Sequence, residues 1–339
     1  MNIEKIHKYT YKYINNPKQI YMNKLNFYGG QRYNGDNFNS IMEYVRKKLS
    51  STIANKKPKG PETPDVPKHL IMLYGPPASG KSKAKEIILN ILNIESDNYI
   101  DINLDDIIGD DKTYIKTISD LKKKASDPKT GISQEIKDEA TKIYFSIRNT
   151  ANIVFELLLF ITRLYNISLV VEVTGGTYCS MIWWYNILSF YKSKQYKITL
   201  IYPVVSDAQS IITRAEERGK EIFRFVSSDS IKKSIENAKK NIKTILENKN
   251  DIFDNIYIYY NNSESLKDTP VKSKDFNQLF NDNIIYMKEN NFIKIKEDGE
   301  INPTLNKTFM KEINNDIDKV FFINNTNEPY NPELCELTY

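Results

Sequence analysis

The stretch that decides the fold is His69-Leu70-Ile71-Met72-Leu73-Tyr74, followed by Gly75-Pro76-Pro77-Ala78-Ser79-Gly80-Lys81-Ser82. The first six residues form a mostly apolar run, which is typical of a buried strand. The next eight fit the pattern G-x-x-x-x-G-K-[ST] of a phosphate-binding loop. After the loop, apolar residues recur at helical spacing at Ala84, Ile87, Ile88, Ile91 and Leu92. The motif therefore lies between a strand and a helix N-terminus, where its mechanism requires it.

Each residue type in this loop has a chemical reason. Gly75 and Gly80 allow backbone conformations that a Cβ atom would hinder. The backbone N–H groups can then surround a phosphate, whose negative charge the positive end of the helix favours. We expect Lys81 to reach the β- and γ-phosphates of ATP or GTP, and the Ser82 hydroxyl to ligate Mg²⁺. The predicted nucleotide-binding residues are Gly75, Pro76, Pro77, Ala78, Ser79, Gly80, Lys81 and Ser82.

The composition is that of an ordinary soluble globular protein. The chain has 339 residues, of which 40% are hydrophobic and 27% charged, enough for one large domain with additions or for two domains. The net charge of +5 allows a nucleic-acid partner without favouring one. The chain has only two cysteines and two histidines. Their small number and their spacing argue against a disulfide framework, a His/Cys metal site and a hydrolase with a catalytic histidine.

No membrane segment or signal peptide is predicted. The N-terminal residues are polar and lack the apolar core of a signal peptide. The most apolar run, residues 152–173, contains Glu156, Arg163 and Glu172, and each such charge would cost about 2.5–3.5 kcal/mol in lipid. We interpret the run as a core helix followed by a strand. The expected protein is intracellular and cytoplasmic, with no membrane partner.

The chain is predicted to have four parts. They are an N-terminal helical extension at 1–55, a linker rich in proline and lysine at 56–68, a domain built on the phosphate loop at 69–262 and a C-terminal extension at 263–339. The first extension is predicted to hold one helix over about 37–53, and the last a strand at 291–295 and a helix at 308–320. Either extension could serve a protein partner.

Five runs with strand character lie in the central domain. They cover about residues 69–74, 98–102, 168–173, 197–205 and 256–260. Helical patterns separate these runs, an alternation that predicts an open, mostly parallel α/β sheet with helices on both faces, as in P-loop NTPases.

Polar side chains follow three of these strands. The three polar groups are the phosphate loop, the pair Asp105 and Asp106, and the pair Glu172 and Thr174. Because the carboxyl ends of parallel strands share one edge of a sheet, we expect these groups to converge on one crevice. A later helix is predicted to end at Gly219, a good residue for the position after a helix C-terminus.

Four sequence blocks together resemble the zeta-toxin-type kinases, a phosphate-loop group with relatives such as chloramphenicol phosphotransferase. The blocks are GPPASGKS, INLDDI, VVEVTGG and RAEERGKEIFRFV. The resemblance covers about residues 69–262, although the stretch between Asp111 and Ser146 has no matching block. It implies an ATP-dependent kinase that transfers the γ-phosphoryl group to a hydroxyl of a small-molecule acceptor, for which a nucleotide sugar is one candidate.

The resemblance also implies roles for individual acidic and hydroxyl residues. Asp105 matches the catalytic base, which takes the proton of the acceptor hydroxyl, and Asp106 is the alternative base. Glu172 and Thr174 match substrate-contact positions, and Glu156 matches a further acidic position.

Two arginines match residues that clamp the nucleotide phosphates. Arg218 and Arg224 would neutralise charge that develops on the γ-phosphoryl group. With Lys81 and Asp105 they complete the predicted catalytic set. The alternative for Arg218 is a surface role, because Arg214 lies one helical turn away on the same face.

Two other functions stay open at this point. A polynucleotide 5′-hydroxyl kinase would share these parts but would need a basic channel for the strand, and the lysines here are mixed with acidic residues. A nucleotide-binding interaction protein without turnover would use the extensions for its partner. The presence of Lys81, Ser82, Asp105 and Arg218 argues against that third function.

Overall fold

The computed structural model describes residues 44–45, 48, 68–95, 98–125, 132–164, 166–174, 176–204, 208–248, 250–260, 292–297 and 300–301. The chain divides into two compact units, Met1–Ser50 and Ser51–Tyr339. In the first unit, Tyr44, Val45 and Lys48 are helical, within the helix predicted over 37–53. The helix predicted at 308–320 and the linker up to residue 67 lie outside the described residues, and the predicted domain boundaries stay predictions.

The described part of the second unit contains seven strands and seven α-helices. The strands are β1 (His69–Tyr74), β2 (Tyr99–Ile102), β3 (Ser168–Val173), β4 (Lys197–Val204), β5 (Asn255–Tyr260), β6 (Phe292–Glu297) and β7 (Glu300–Ile301). The helices are α1 (Lys81–Ile91), α2 (Leu104–Gly109), α3 (Lys112–Lys124), α4 (Gln134–Leu164), α5 (Tyr178–Lys192), α6 (Ala208–Ile222) and α7 (Ser228–Asn248).

All seven strands form one sheet in the order β2-β3-β1-β4-β5-β6-β7. The first five are parallel, whereas β6 is antiparallel to β5 and β7 to β6. A parallel sheet of order 2-3-1-4-5 with the phosphate loop after β1 is a P-loop kinase-like fold, so the predicted fold class is confirmed. The strand predicted at 291–295 is confirmed as β6, which extends the sheet from the predicted C-terminal extension.

The strand register brings the ends of the central strands level. Tyr74, the last residue of β1, lies opposite Val173, the last residue of β3. Ile102, which ends β2, lies opposite Val171. The phosphate loop and Thr174 therefore leave the sheet side by side at its carboxyl edge, as the sequence predicted.

The apolar face of α1 packs on one side of this sheet. Ala84 and Ile88 are completely buried and belong to one cluster with Ile71 and Leu73 of β1 and Val170 of β3. The helical spacing seen after the loop therefore marks a true core face. This packing fixes the N-terminus of α1, and with it the phosphate loop, against the strand ends.

The long helix α4 is tied to the core at its C-terminal end. By length and composition the segment Gln134–Arg163 could cross a membrane, but a core helix passes the same test. Thr162 is fully buried, and its Oγ1 atom lies 2.8 Å from the Tyr191 hydroxyl of α5. The Tyr196 hydroxyl donates to the backbone oxygens of Thr162 and Ile167, each at 3.0 Å. The run at 152–173 is therefore a core helix followed by a strand, as predicted.

Asn241 of α7 links the loop after β3 to the end of β1. Its buried side-chain Nδ2 donates to the Tyr74 hydroxyl at 2.7 Å and to the Gly176 backbone oxygen at 2.9 Å. Burial raises the pKa of Tyr74 to about 12, so the phenol stays protonated at neutral pH. The two bonds hold the loop that carries Thr174 beside the strand that leads into the phosphate loop.

We expect Asn241→Ala to lower the free energy of unfolding by about 1–3 kcal/mol, because the buried Tyr74 hydroxyl and the half-buried Gly176 backbone oxygen lose their donor. Asn237→Ala, one turn earlier in α7, is the matched control and should change this free energy by less than about 0.5 kcal/mol. Urea denaturation of the three chains measures both values. Equal losses in the two variants would show that Asn241 has no special linking role.

Candidate active site

The phosphate loop has the backbone geometry of an anion site. A Cβ atom at Gly75 would lie 3.2 Å from both Pro203 Cδ and Ser79 Oγ, so glycine allows the close approach of the turn. Ala78 and Gly80 have left-handed φ angles of 56° and 92°. Backbone N–H groups in turns of this kind form a concavity that binds anions. Gly80 is also the N-cap residue of α1, so the loop opens directly onto the helix N-terminus.

Lys81 lies at the base of this loop, almost out of contact with water. Its side chain is buried, and its Nζ atom donates to the backbone oxygens of Gly75 at 3.0 Å and Pro76 at 2.8 Å. Burial lowers its pKa to about 8. The next residue, Ser82, is exposed in the first turn of α1.

Four other predicted site residues act electrostatically on Lys81. The charges of Glu172 and Asp105 raise its pKa and those of Arg224 and Arg218 lower it, all by less than burial does. A charge shifts the pKa of Lys81 in this way only when it lies close to the Lys81 ammonium group. The structure therefore brings these five predicted residues into one charged cluster.

Asp105 lies in the first turn of α2, directly after β2. Its backbone N–H donates to Oδ1 of the N-cap residue Asn103 at 2.9 Å. Its carboxylate has two partners from distant parts of the chain: Oδ2 lies 2.5 Å from Arg224 Nη1, and Oδ1 accepts the Tyr144 hydroxyl at 2.8 Å. Asp106, the alternative base, is exposed. Tyr144 is a site residue that the sequence analysis missed.

Glu172 lies beside two further charged side chains, Lys85 of α1 and Asp101 of β2. Lys85 forms a close ion pair with Asp101 of β2, and its Nζ atom lies 4.0 Å from Glu172 Oε1. Burial raises the pKa of Glu172, Asp101 and Asp106 add to the rise, and Lys81 and Lys85 oppose it. Lys85 and Asp101 were not predicted from the sequence, although Lys85 lies one helical turn after Lys81 and could have been found by that spacing.

For the predicted residues Thr174, Arg218 and Glu156 the structure gives a position in the fold. Thr174 is exposed directly after β3, and Arg218 is exposed on α6. Glu156 is half-buried in α4, twelve residues beyond Tyr144, or about 18 Å along the helix axis. The predicted roles of Thr174 and Glu156 in substrate binding stay predictions, as does the phosphate contact of Arg218.

The segment that carries Arg224 folds back on α6. The prediction that this helix ends at Gly219 is wrong, since α6 continues to Ile222. A Cβ atom at Gly219 would lie 2.9 Å from Phe225 Cδ1 and 3.1 Å from the backbone oxygen of Arg224. The turn itself is made at Phe223, which has a left-handed φ of 58°. Glycine is therefore present at position 219 because the following segment packs against it.

Two lysines from neighbouring helices hold the same segment. Lys122 of α3 lies over the Phe223 ring, 5.5 Å from its centroid, and donates to the Glu221 backbone oxygen at 3.1 Å. Lys137 of α4 lies 5.8 Å from the centroid of the Phe225 ring. Helices α3 and α4 thus contact the residues that precede and follow Arg224 in the chain.

The class of protein is P-loop kinase-like. It is defined by the strand order, the loop between β1 and α1 and the buried Lys81. No protein-family model matches the chain. The chain is 30% identical over 254 residues to the "Uncharacterized protein L872" of Acanthamoeba polyphaga mimivirus, a match that covers 67% of this chain and 71% of that protein. The chain belongs to the family of L872.

Solved structures with similar folds were also found. A chain of the PezAT chromosomal toxin–antitoxin system of Streptococcus pneumoniae is 14% identical, with a TM-score of 0.47 over 86% of this chain and 100% of that chain. A chain of the Pnkp1/Rnl/Hen1 RNA repair complex is 12% identical, with a TM-score of 0.33 over 55% of this chain and 49% of that chain. The resemblance to zeta-toxin-type kinases holds at the level of the fold, and at these scores it assigns no residue.

The buried charge of Lys81 predicts a pH-dependent stability. Its folded pKa of about 8 lies below the usual 10.5, so between these values the unfolded chain binds more protons and stability rises with pH. Replacing Lys81 by methionine removes the cost of the buried charge. We expect Lys81→Met to raise the free energy of unfolding at pH 7 by as much as about 3 kcal/mol, and the gain to shrink as the pH approaches 10.5.

Urea denaturation at pH 7 and pH 10 measures this difference. Lys83→Met, at an exposed position of the same helix turn, is the control and should show no such change with pH. A Lys81→Met effect that is the same at both pH values would contradict the assignment of a destabilising buried charge.

Gly219→Ala tests the packing of the Arg224 segment. In an open helix position, glycine to alanine raises the free energy of unfolding by about 0.5–1 kcal/mol. Gly109→Ala in α2 should show that gain, because nothing lies within 4 Å of a Cβ atom there. Gly219→Ala should lose stability instead, since the new methyl group must displace Phe225 and the Arg224 backbone. Chemical denaturation compares the two variants, and a gain at position 219 equal to that at 109 would contradict the packing.

Proposed function

We propose that the chain is an ATP-dependent kinase that transfers the γ-phosphoryl group to a hydroxyl of a small molecule. One observation carries the proposal: a buried ammonium, a carboxylate and a guanidinium occupy one cluster at the phosphate loop. They belong to Lys81, Asp105 and Arg224, which come from three separate elements of the fold. A kinase needs these three charges to hold phosphates, accept a proton and stabilise the transferred group.

The loop fits the phosphates of ATP. Its left-handed residues Ala78 and Gly80 orient backbone N–H groups for an anion, and Lys81 lies among neutral carbonyl partners. Phosphate oxygens would give this ammonium charge-assisted bonds, which are about twice as strong as neutral ones. Mg²⁺ in such sites is held by one or two protein groups together with the phosphates. The exposed Ser82 hydroxyl fits that role, and the ion would neutralise charge on the β- and γ-phosphates.

Asp105 is proposed as the general base. Arg224 moves from Asp105 Oδ2 to the oxygens of the phosphoryl group, where Arg218 adds further positive charge. The freed carboxylate oxygen then accepts the proton of the acceptor hydroxyl. The acceptor oxygen forms its bond to the γ-phosphorus as the bond to the ADP oxygen breaks, so charge and atoms are conserved.

The acceptor is proposed to bind at the carboxyl edge of the sheet, next to β3. Glu172 and Thr174 lie there, and Glu156 is retained as a further candidate contact. A small molecule with a free hydroxyl, with a nucleotide sugar tested first, is the substrate class that we propose. The proposed location is intracellular, where ATP is available.

The experiment is a transfer assay with γ-labelled ATP and four acceptor classes: nucleotide sugars, nucleosides, oligonucleotides and aminoglycoside-like antibiotics. Transfer to a small-molecule hydroxyl supports the proposal. Transfer to oligonucleotides alone would instead identify a polynucleotide 5′-kinase. Tight ATP binding without transfer or hydrolysis would identify an interaction protein without turnover.

The base is identified by comparing Asp105→Asn with Asp106→Asn, which change neighbouring residues in the same way. We expect Asp105→Asn to lower kcat by about 10²–10⁴, the range for losing acid–base assistance. The Kd for ATP should change little, because Lys81 and the loop N–H groups hold the phosphates. Phosphate transfer, or ATP hydrolysis before an acceptor is known, measures kcat. A large defect in Asp106→Asn with near-normal Asp105→Asn would assign the base to Asp106.

A further inference from the structure

The Asp105 carboxylate is held by two donors that approach different oxygen atoms. Arg224 Nη1 lies 2.5 Å from Oδ2, and the Tyr144 hydroxyl lies 2.8 Å from Oδ1. The two donors come from the segment after α6 and from α4, neither of which neighbours Asp105 in sequence. Together they fix the rotation of the carboxylate about its Cβ–Cγ bond.

The Tyr144 hydroxyl can act as a donor throughout the neutral pH range. Burial raises its pKa well above the ordinary value, and the negative charge of Asp105 raises it further, while Arg224 opposes the rise. The phenol therefore keeps its proton. Because a carboxylate only accepts hydrogen bonds, the proton lies between Tyr144 and Asp105 with the tyrosine as donor.

The ring of Tyr144 also contacts the second partner of Asp105. The Arg224 guanidinium carbon lies 5.3 Å from the centroid of this ring, within cation–π distance. The ring also meets Phe145 edge-on, with centroids 5.6 Å apart and planes at 84°. Arg148 lies over the Phe145 ring at 5.7 Å. One tyrosine thus supports both the proposed base and the arginine that pairs with it.

We propose that Tyr144 is a positioning residue for the proposed base Asp105, and this inference rests on the proposed kinase function. When Arg224 moves to the phosphoryl group, the Tyr144 hydroxyl keeps Oδ1 and so directs the freed Oδ2 toward the acceptor hydroxyl. The Tyr144 ring gives Arg224 a fixed surface beside which it exchanges partners. Tyr144 transfers no proton itself, since its hydroxyl acts only through Asp105.

The test separates the hydroxyl from the ring. Tyr144→Phe keeps the ring beneath Arg224 and removes the bond to Asp105. Tyr114→Phe in α3 is the matched control, because Tyr114 is buried and feels the charges of Arg224 and Asp105, whereas the Asp105 carboxylate accepts its tyrosine hydrogen bond from Tyr144. The probe is Mg·ATP, and the measurement is the initial rate of γ-phosphate release with ATP in excess over the protein.

We expect Tyr144→Phe to slow the rate at saturating ATP about 10- to 100-fold, the range for one hydrogen bond to a charged group. The ATP concentration for half-maximal rate should stay within about twofold, since the phosphate loop is untouched, and Tyr114→Phe should match the wild-type rate. A fall in ATP affinity without a fall in the saturating rate would overturn the positioning role.

A double-mutant cycle shows whether Tyr144 acts through Asp105. In the Asp105→Asn chain, Tyr144→Phe should cause no further loss beyond about twofold, because the residue it positions is already gone. A tyrosine that only supports the local packing would cause its full loss in both chains, and that result would overturn the inference.

Lys81→Ala distinguishes a failure of the proposed kinase function from a failure of the positioning role alone. If Lys81→Ala releases phosphate as fast as the wild type, the proposed function fails and the inference fails with it. If Lys81→Ala is inactive while Tyr144→Phe runs at the wild-type rate, the kinase function stands and the positioning role alone is wrong.

Discussion

The arrangement of this site depends on the burial of one ammonium group. The packing of α1 on the sheet places Lys81 where water hardly reaches it, and its pKa falls to about 8 as a result. The backbone oxygens of Gly75 and Pro76 replace only part of its hydration. Such a charge weakens the fold but strengthens binding, because an anion that enters the loop both gains a charge-assisted bond and removes the cost of burial.

The remaining charges at the site form two groups of ion pairs, both of which keep some contact with solvent. The Asp105–Arg224 pair keeps some contact with solvent, with exposures of 25% and 16% for the two side chains. Its opening therefore costs less than the roughly 3–5 kcal/mol of breaking a fully buried pair. Lys85 of α1 pairs closely with Asp101 and lies 4.0 Å from Glu172, and these three side chains have similar exposures of 19%, 26% and 12%. The Asp105–Arg224 pair is the one that opens in the proposed reaction, and the pair of Lys85 with Asp101 lies next to Glu172.

The residues that sequence reasoning found are those whose roles follow from local patterns. The apolar run of β1, the loop and the helical spacing of α1 lie within one continuous stretch, and Asp105 and Glu172 were found because parallel strands end at a common edge. Tyr144 was missed because it lies 39 residues from Asp105, in a long helix whose aromatic residues look alike in sequence. Gly219 was misread as a helix end because local propensity cannot show that Phe225 packs against that position.

The position of Arg224 depends on residues in the stretch of the chain that matched no family block. The left-handed backbone of Phe223 costs about 1–3 kcal/mol and persists only if its surroundings hold it. Those surroundings are Gly219 in the same segment and the lysines Lys122 and Lys137, which lie in the stretch between Asp111 and Ser146 where no family block was found. The proposed phosphate-clamping arginine therefore takes its place from α3 and α4, the same helices that flank the proposed base. A substitution that shifts either helix would therefore also move Arg224 and change its pairing with Asp105.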